Sequence, residues 1–143
     1  MRIQMQHVRA VPSRLWAVVG LCALASLIHF AHNAETLAYY PNMPPWITRE
    51  VVYGAWLGVA SVGVLGVLAV SVGFRVAGLV LLGLFGALGI DGLAHYGRAS
   101  FAEHTPAANL TIAFEAITGL VTMILCWREA VRTGLTRRPH PDA

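Results

Sequence analysis

Apolar positions run along this chain in four long blocks, and none of them shows the regular polar face of a water-exposed helix or strand. The blocks cover residues 15–37, 50–72, 74–96 and 107–127. A bilayer core of about 30 Å needs about 20 apolar residues per helix, so each block predicts one membrane span. Start signals agree with the spacing. Ser13 follows Pro12, Thr48 follows Pro44-Pro45-Trp46, and Thr105-Pro106 sets a capping residue before a proline at the first helical position. The connection at Ser71 to Arg75 is short and predicts an antiparallel hairpin of spans two and three. The expected architecture is a single all-α domain, a four-helix up-down bundle with a basic tail over 128–143.

Composition supports this pattern. Of 143 residues, 57% are hydrophobic and 12% charged, with a mean hydropathy of +0.63. Soluble domains carry about 25% charge, so this chain cannot coat a soluble globule of its size. A disordered chain, a coiled coil and a nucleic-acid-binding domain are excluded on the same ground. Ala23-Leu24-Ala25 has the small residues of a signal-peptide cleavage site, but the apolar run continues to Phe30, so the first block is read as a retained span. The two cysteines, Cys22 and Cys126, form no CxxC pair.

Charge sets the expected orientation. All ten basic residues are arginine, and the chain's net charge is +3. Arg2, Arg9, Arg14, Arg75, Arg128, Arg132, Arg137 and Arg138 fall on one side, and only Arg49 and Arg98 on the other. The positive-inside rule then puts both termini in the cytoplasm of a bacterial inner-membrane protein. Glu35, Glu50, Asp91, Glu103 and Glu115 gather in the outer half. Tyr39, Tyr40, Trp46, Tyr53, Tyr96 and Phe101 mark the outer interface, and Trp16 and Trp127 the inner one. The stretch Tyr39 to Trp46, with three prolines, reads as a stiff outer loop.

Small residues recur in spans two and three, with Gly54-x3-Gly58, Gly63 and Gly66, then Gly83, Gly86, Gly89 and Gly92. In lipid, helices associate through close backbone approach, so these rows predict helix packing inside the bundle. One such face would also serve as a homodimer seam.

The ionisable residues inside the spans are few. They are His29, His32 and Glu35 in span one, Asp91 and His95 in span three, and Glu115 in span four. A charged group at mid-helix costs roughly 2.5–3.5 kcal/mol on insertion scales, so each needs a partner or a function. At about 1.5 Å per residue, Asp91 and His32 lie roughly 8 Å deep, and Glu115 and His29 roughly 12 Å. His29, His32 and Asn33 share one helical face, and Asp91 and His95, four apart, would share another. Bundle cores build metal sites in this way. The expected ligand set is His29, His32, Asp91, His95 and Glu115, with Asn33, Glu35 and His104 around it. Imidazole with carboxylate suits Fe, Cu or Zn. Haem b between two of the histidines fits less well, because the carboxylates would face the macrocycle.

Asp91-x3-His95 followed by His104 resembles the Asp-x3-His…His copper ligands in a membrane subunit of particulate methane monooxygenase. The resemblance covers under a tenth of the chain, with a different spacing to the last histidine, and implies only that such a helix can hold copper. No P-loop, Ser-His-Asp or dinucleotide pattern is present. Gly86-x2-Gly89-x2-Gly92 lies inside a span and is no phosphate loop.

The favoured expectation is a metal-binding membrane protein, either an oxidoreductase or a metal-handling factor. A proton-coupled small transporter and an accessory subunit of a larger membrane complex are the alternatives. Membrane lipid is the expected partner, with homo-oligomers or a larger complex compatible and nucleic acid excluded.

Overall fold

The computed structural model describes residues 11–135. Four helices are long and apolar enough to cross a membrane. Helix α1 spans Ser13–Glu35, α2 Arg49–Ser71, α3 Arg75–Leu88 and α4 Pro106–Leu135. Beyond Leu88 the third span continues as a 3-10 helix over Gly89–Gly97, so the whole span is Arg75–Gly97. No strand is present among the described residues. The chain is an all-α, multi-pass membrane protein, as its apolar blocks predict.

Local side-chain caps explain two of the four helix starts. Thr48 Oγ1 accepts from Val51 N at 3.4 Å, and Thr105 Oγ1 from Ala108 N at 3.1 Å. Ser13 behaves differently from expectation. It is already helical, and Pro12 holds the cap position without a side-chain hydrogen bond. Helix α4 also runs further than expected: the segment from Arg128 on, expected as a solvated tail, stays helical to Leu135. The remaining tail and His7, His140, Arg2, Arg9, Arg137, Arg138 and Asp142 lie outside the described residues.

Helix α4 is the centre of the bundle. Its apolar window is 44% buried, against 17% for α2, which is the most lipid-exposed helix. Helix α4 packs along α3 and α1, while α2 leans mainly on α3. The α2–α3 hairpin turns at Gly73, whose φ of +94° favours glycine. Leu15, Val19, Leu79, Leu82, Cys126 and Ala130 form the core of the end that carries residues 11 and 135. Both cysteines are free and buried, Cys126 in this core and Cys22 beside Thr118 and Thr122.

Two glycine crossings hold the helices close. A Cβ on Gly78 would lie 2.7 Å from the Gly66 carbonyl oxygen, locking α2 to α3. A Cβ on Gly86 would lie 2.6 Å from the Gly119 carbonyl oxygen, and one on Gly119 would lie 2.5 Å from that of Gly86. No larger residue fits at this α3–α4 crossing. Gly54 and Gly58 do not take part: both are exposed, with nothing near a Cβ built there.

These contacts rank the glycines. Gly119→Val should destabilise the detergent-solubilised protein by about 1–3 kcal/mol through overpacking. Gly58→Val should stay within about 0.5 kcal/mol of wild type. Thermal unfolding of the two variants checks the order, and equal losses would contradict it.

Candidate functional site

The polar layer is built at the end of the bundle that carries the Pro41–Trp46 loop. Helix α1 presents His29 and Asn33 one turn apart, both buried. Helix α4 presents Glu115, 1% exposed, with Thr111 one turn before it. The third span faces them with Gly89, Gly92 and His95.

The winding of that span decides which residues meet. In a 3-10 helix, side chains three apart eclipse. Gly89, Gly92 and His95 therefore form one row along α4, while Asp91 stands at the rim of the same cleft. Asp91 and His95 nevertheless line the same cleft, Asp91 from its exposed rim and His95 from within. Asp91 is exposed at the rim and has no hydrogen bond or ion pair among the described residues. His95 turns inward and packs edge-on against His29, with ring centroids 5.6 Å apart.

Hydrogen bonds assign the proton positions. Thr111 Oγ1 donates to the Ala108 carbonyl at 3.0 Å, so it accepts from His29 Nδ1 at 3.3 Å. That leaves the lone pair on His29 Nε2, which faces Glu115 Oε2 at 3.7 Å, too far for a hydrogen bond. Asn33 Nδ2 donates to His95 Nε2 at 3.3 Å. Glu115 Oε1 and Asn33 Oδ1 are buried without a well-formed hydrogen bond, and the side chain that stands against Glu115 from α1 is the buried Ser26.

Gly92 leaves space where these atoms converge. A Cβ there would stand 3.4 Å from Glu115 Oε2 and 3.6 Å from His29 Nε2. The space opens into a cleft of about 270 Å³ between α1, α2, α4 and the 3-10 segment. Phe30, Val51, Val52 and Leu88 line its body, and Trp46, Asp91 and Arg98 stand toward its mouth. The result is an apolar slot with a pole of hydrogen-bond acceptors.

The other expected site residues lie elsewhere. His32 Nδ1 meets the Tyr40 hydroxyl at 2.9 Å and does not line the cleft. Glu35 is exposed and holds Arg49 and Tyr53, each at 2.7 Å, which ties the end of α1 to the start of α2. His104 is buried, with Nδ1 against the Ser100 carbonyl at 3.0 Å, and its ring packs on Tyr96, Tyr40 and His95. Among the described residues, no group of three His, Cys, Asp or Glu side chains is arranged to hold a metal ion.

Tyr40, Thr111 and Gly92 were not among the expected site residues. Thr111 was legible, since it stands one turn from Glu115. Tyr40 was expected only as an interfacial aromatic. It is 3% exposed and packs on Ala108 and Ile112. Asn42, at φ 56°, donates to the Arg98 carbonyl at 2.8 Å and pins the loop against the end of the third span.

No protein-family model, curated protein or solved structure matches the chain. The class rests on its own fold and site: a four-helix membrane protein with an imidazole–carboxyl cleft.

Burial pushes the Tyr40 phenol up from 10.0 to about 12. The folded state therefore holds this proton more tightly than the unfolded chain does. The corresponding stability is complete below pH 10 and is lost as pH rises toward about 12. Tyr40→Phe should flatten that alkaline loss. It should also cost about 1 kcal/mol near neutral pH through the missing bond to His32. Unfolding measured from about pH 8 to about pH 12, which brackets the titration of tyrosine, checks both effects. An unchanged alkaline slope in the variant would contradict the assignment.

Proposed function

We propose that this protein binds a small, largely apolar molecule whose hydrogen-bond-donating or cationic head enters the pole of the cleft. The observation that carries this reading is the convergence of unfilled acceptors on one space. His29 Nε2 and Glu115 Oε2 flank the bare Cα of Gly92, and Asn33 joins them in lining the same cleft. Buried acceptors without donors cost free energy, and a ligand donor recovers it. An apolar pocket with a few convergent polar groups is the usual form of a small-molecule site. The arginine distribution supports an outward-facing cleft.

A metal ion is the second reading, favoured by one specific distance. His29 Nε2 and Glu115 Oε2 are 3.7 Å apart. Two ligands at about 2.1 Å from one ion can stand up to about 4.2 Å apart. The Nδ1 bond to Thr111 would orient the imidazole as outer partners of metal-bound histidines do. Such an ion would be a transition metal used in redox chemistry or metal handling.

A panel of primary amines with phenyl or cyclohexyl bodies, each matched with the carboxylate of the same body, tests the first reading. The amines should raise the melting temperature of the purified protein, by about 2.7 kcal/mol of stabilisation at roughly a hundredfold excess over Kd. The carboxylates should not. Glu115→Gln and Gly92→Val should each weaken amine binding about tenfold or more, the first by placing a donor where an acceptor stood. Equal binding of amines and carboxylates would overturn the reading. Elemental analysis of the same preparation tests the second: stoichiometric Fe, Cu or Zn, lost in His29→Ala, would favour the ion.

A further inference from the structure

We propose that the opposite end of the bundle holds a phosphate-bearing lipid headgroup in a basic pocket between the start of α1 and the end of α4. This pocket has a volume of about 270 Å³ and is lined by Pro12, Arg14, Leu15, Leu125, Arg128, Glu129 and Arg132. Three arginines therefore line one cavity, together with a single acidic residue.

That carboxylate is already engaged. Glu129 Oε1 accepts from Arg75, whose side chain is 7% exposed, and Oε2 stands 4.0 Å from Arg132. Arg75 neutralises the acid from behind, so the face toward the cavity keeps a surplus of positive charge. Arg14 and Arg128 have no acidic partner among the described residues.

Two further features fit a headgroup. Helix α1 begins here at Pro12 without a side-chain cap, so the partial positive charge of its first turn is not answered by the protein. Leu15 and Leu125 give the pocket an apolar floor, which glycerol and the first methylenes of an acyl chain can cover. The pocket also lies where two candidate spans end, at Ser13 and near Gly134, which is the level of a phosphate in a bilayer. Basic pockets between membrane helices hold anionic headgroups by this chemistry. A free phosphate shares the oxyanion but makes no use of the apolar floor.

Native mass spectrometry of the purified full chain with added phosphatidylglycerol, phosphatidylcholine of the same acyl chains, or inorganic phosphate tests the proposal. Phosphatidylglycerol should remain bound when phosphatidylcholine has dissociated. The double variant Arg14→Gln/Arg128→Gln should weaken phosphatidylglycerol binding about tenfold or more. Arg49→Gln, at the other end, should bind as wild type does. Both arginines of the double variant are exposed, and a wild-type circular dichroism spectrum and melting temperature without lipid confirm its fold. Equal retention of the two lipids, or wild-type retention in the double variant, would overturn the proposal. Inorganic phosphate displacing phosphatidylglycerol at comparable concentration would overturn the lipid as the source and assign the pocket to a soluble oxyanion.

Discussion

A carboxyl group buried in a helix bundle that lies in hydrocarbon has no water to turn to. Glu115 is in that position, 1% exposed in the third turn of the central helix. Everything around it can be read as an answer to its presence. His29 faces one oxygen, Thr111 holds the far side of that imidazole, and the bare Gly92 leaves open the space beside the carboxyl. The surrounding protein solvates Glu115 only in part, since Ser26 stands against it but Oε1 has no well-formed hydrogen bond. A stable fold leaves few such atoms. Here the unfilled valence lines a cleft, and this is why the cleft carries the functional reading.

The third span makes the arrangement geometrically feasible. Its α-helical half reaches α4 at the Gly86–Gly119 crossing, where neither residue has room for a Cβ. Beyond that crossing the winding tightens to 3-10, and every third residue faces α4 or α1. Long 3-10 stretches are uncommon because their hydrogen bonds are poorer. The nine residues from Gly89 to Gly97 keep this winding against the bundle's interior. The tighter winding brings Gly92 over the His29–Glu115 pair and His95 beside Asn33. The rings of Tyr40, Tyr96 and His104 then pack around His95 and close that side of the site.

Much of this was legible in the sequence, and the rest was not for identifiable reasons. The four spans fall within a few residues of the apolar blocks, because hydrophobic length is dictated by the bilayer and needs no tertiary information. Thr48 and Thr105 cap as expected, since capping is local. His29, Asn33 and Glu115 meet because α1 and α4 keep regular winding, so spacing and depth were sound guides there. Asp91 reaches the cleft only at its rim, because the chain there winds at three residues per turn where the spacing was counted at 3.6. His32 and Glu35 went astray because Tyr40 and Arg49, both outside the first apolar block, claim them. Such partners arrive from other elements, and periodicity along one helix carries no trace of them. The exposed Gly54-x3-Gly58 row shows the same limit: a small-residue motif permits close packing but does not say which helix supplies it.

The register of the third span is most directly measured by solid-state NMR of the protein in lipid bilayers, with 15N in the histidine rings and 13C in Gly92 and Asp91. Dipolar dephasing should be strong at the Gly92 Cα and should disappear there in His29→Phe. The Asp91 carboxyl carbon should show no dephasing that depends on His29. An Asp91 carboxyl dephased by His29, with Gly92 unaffected, would mean that the span winds as a regular α-helix and that the His29–Glu115 cleft does not exist.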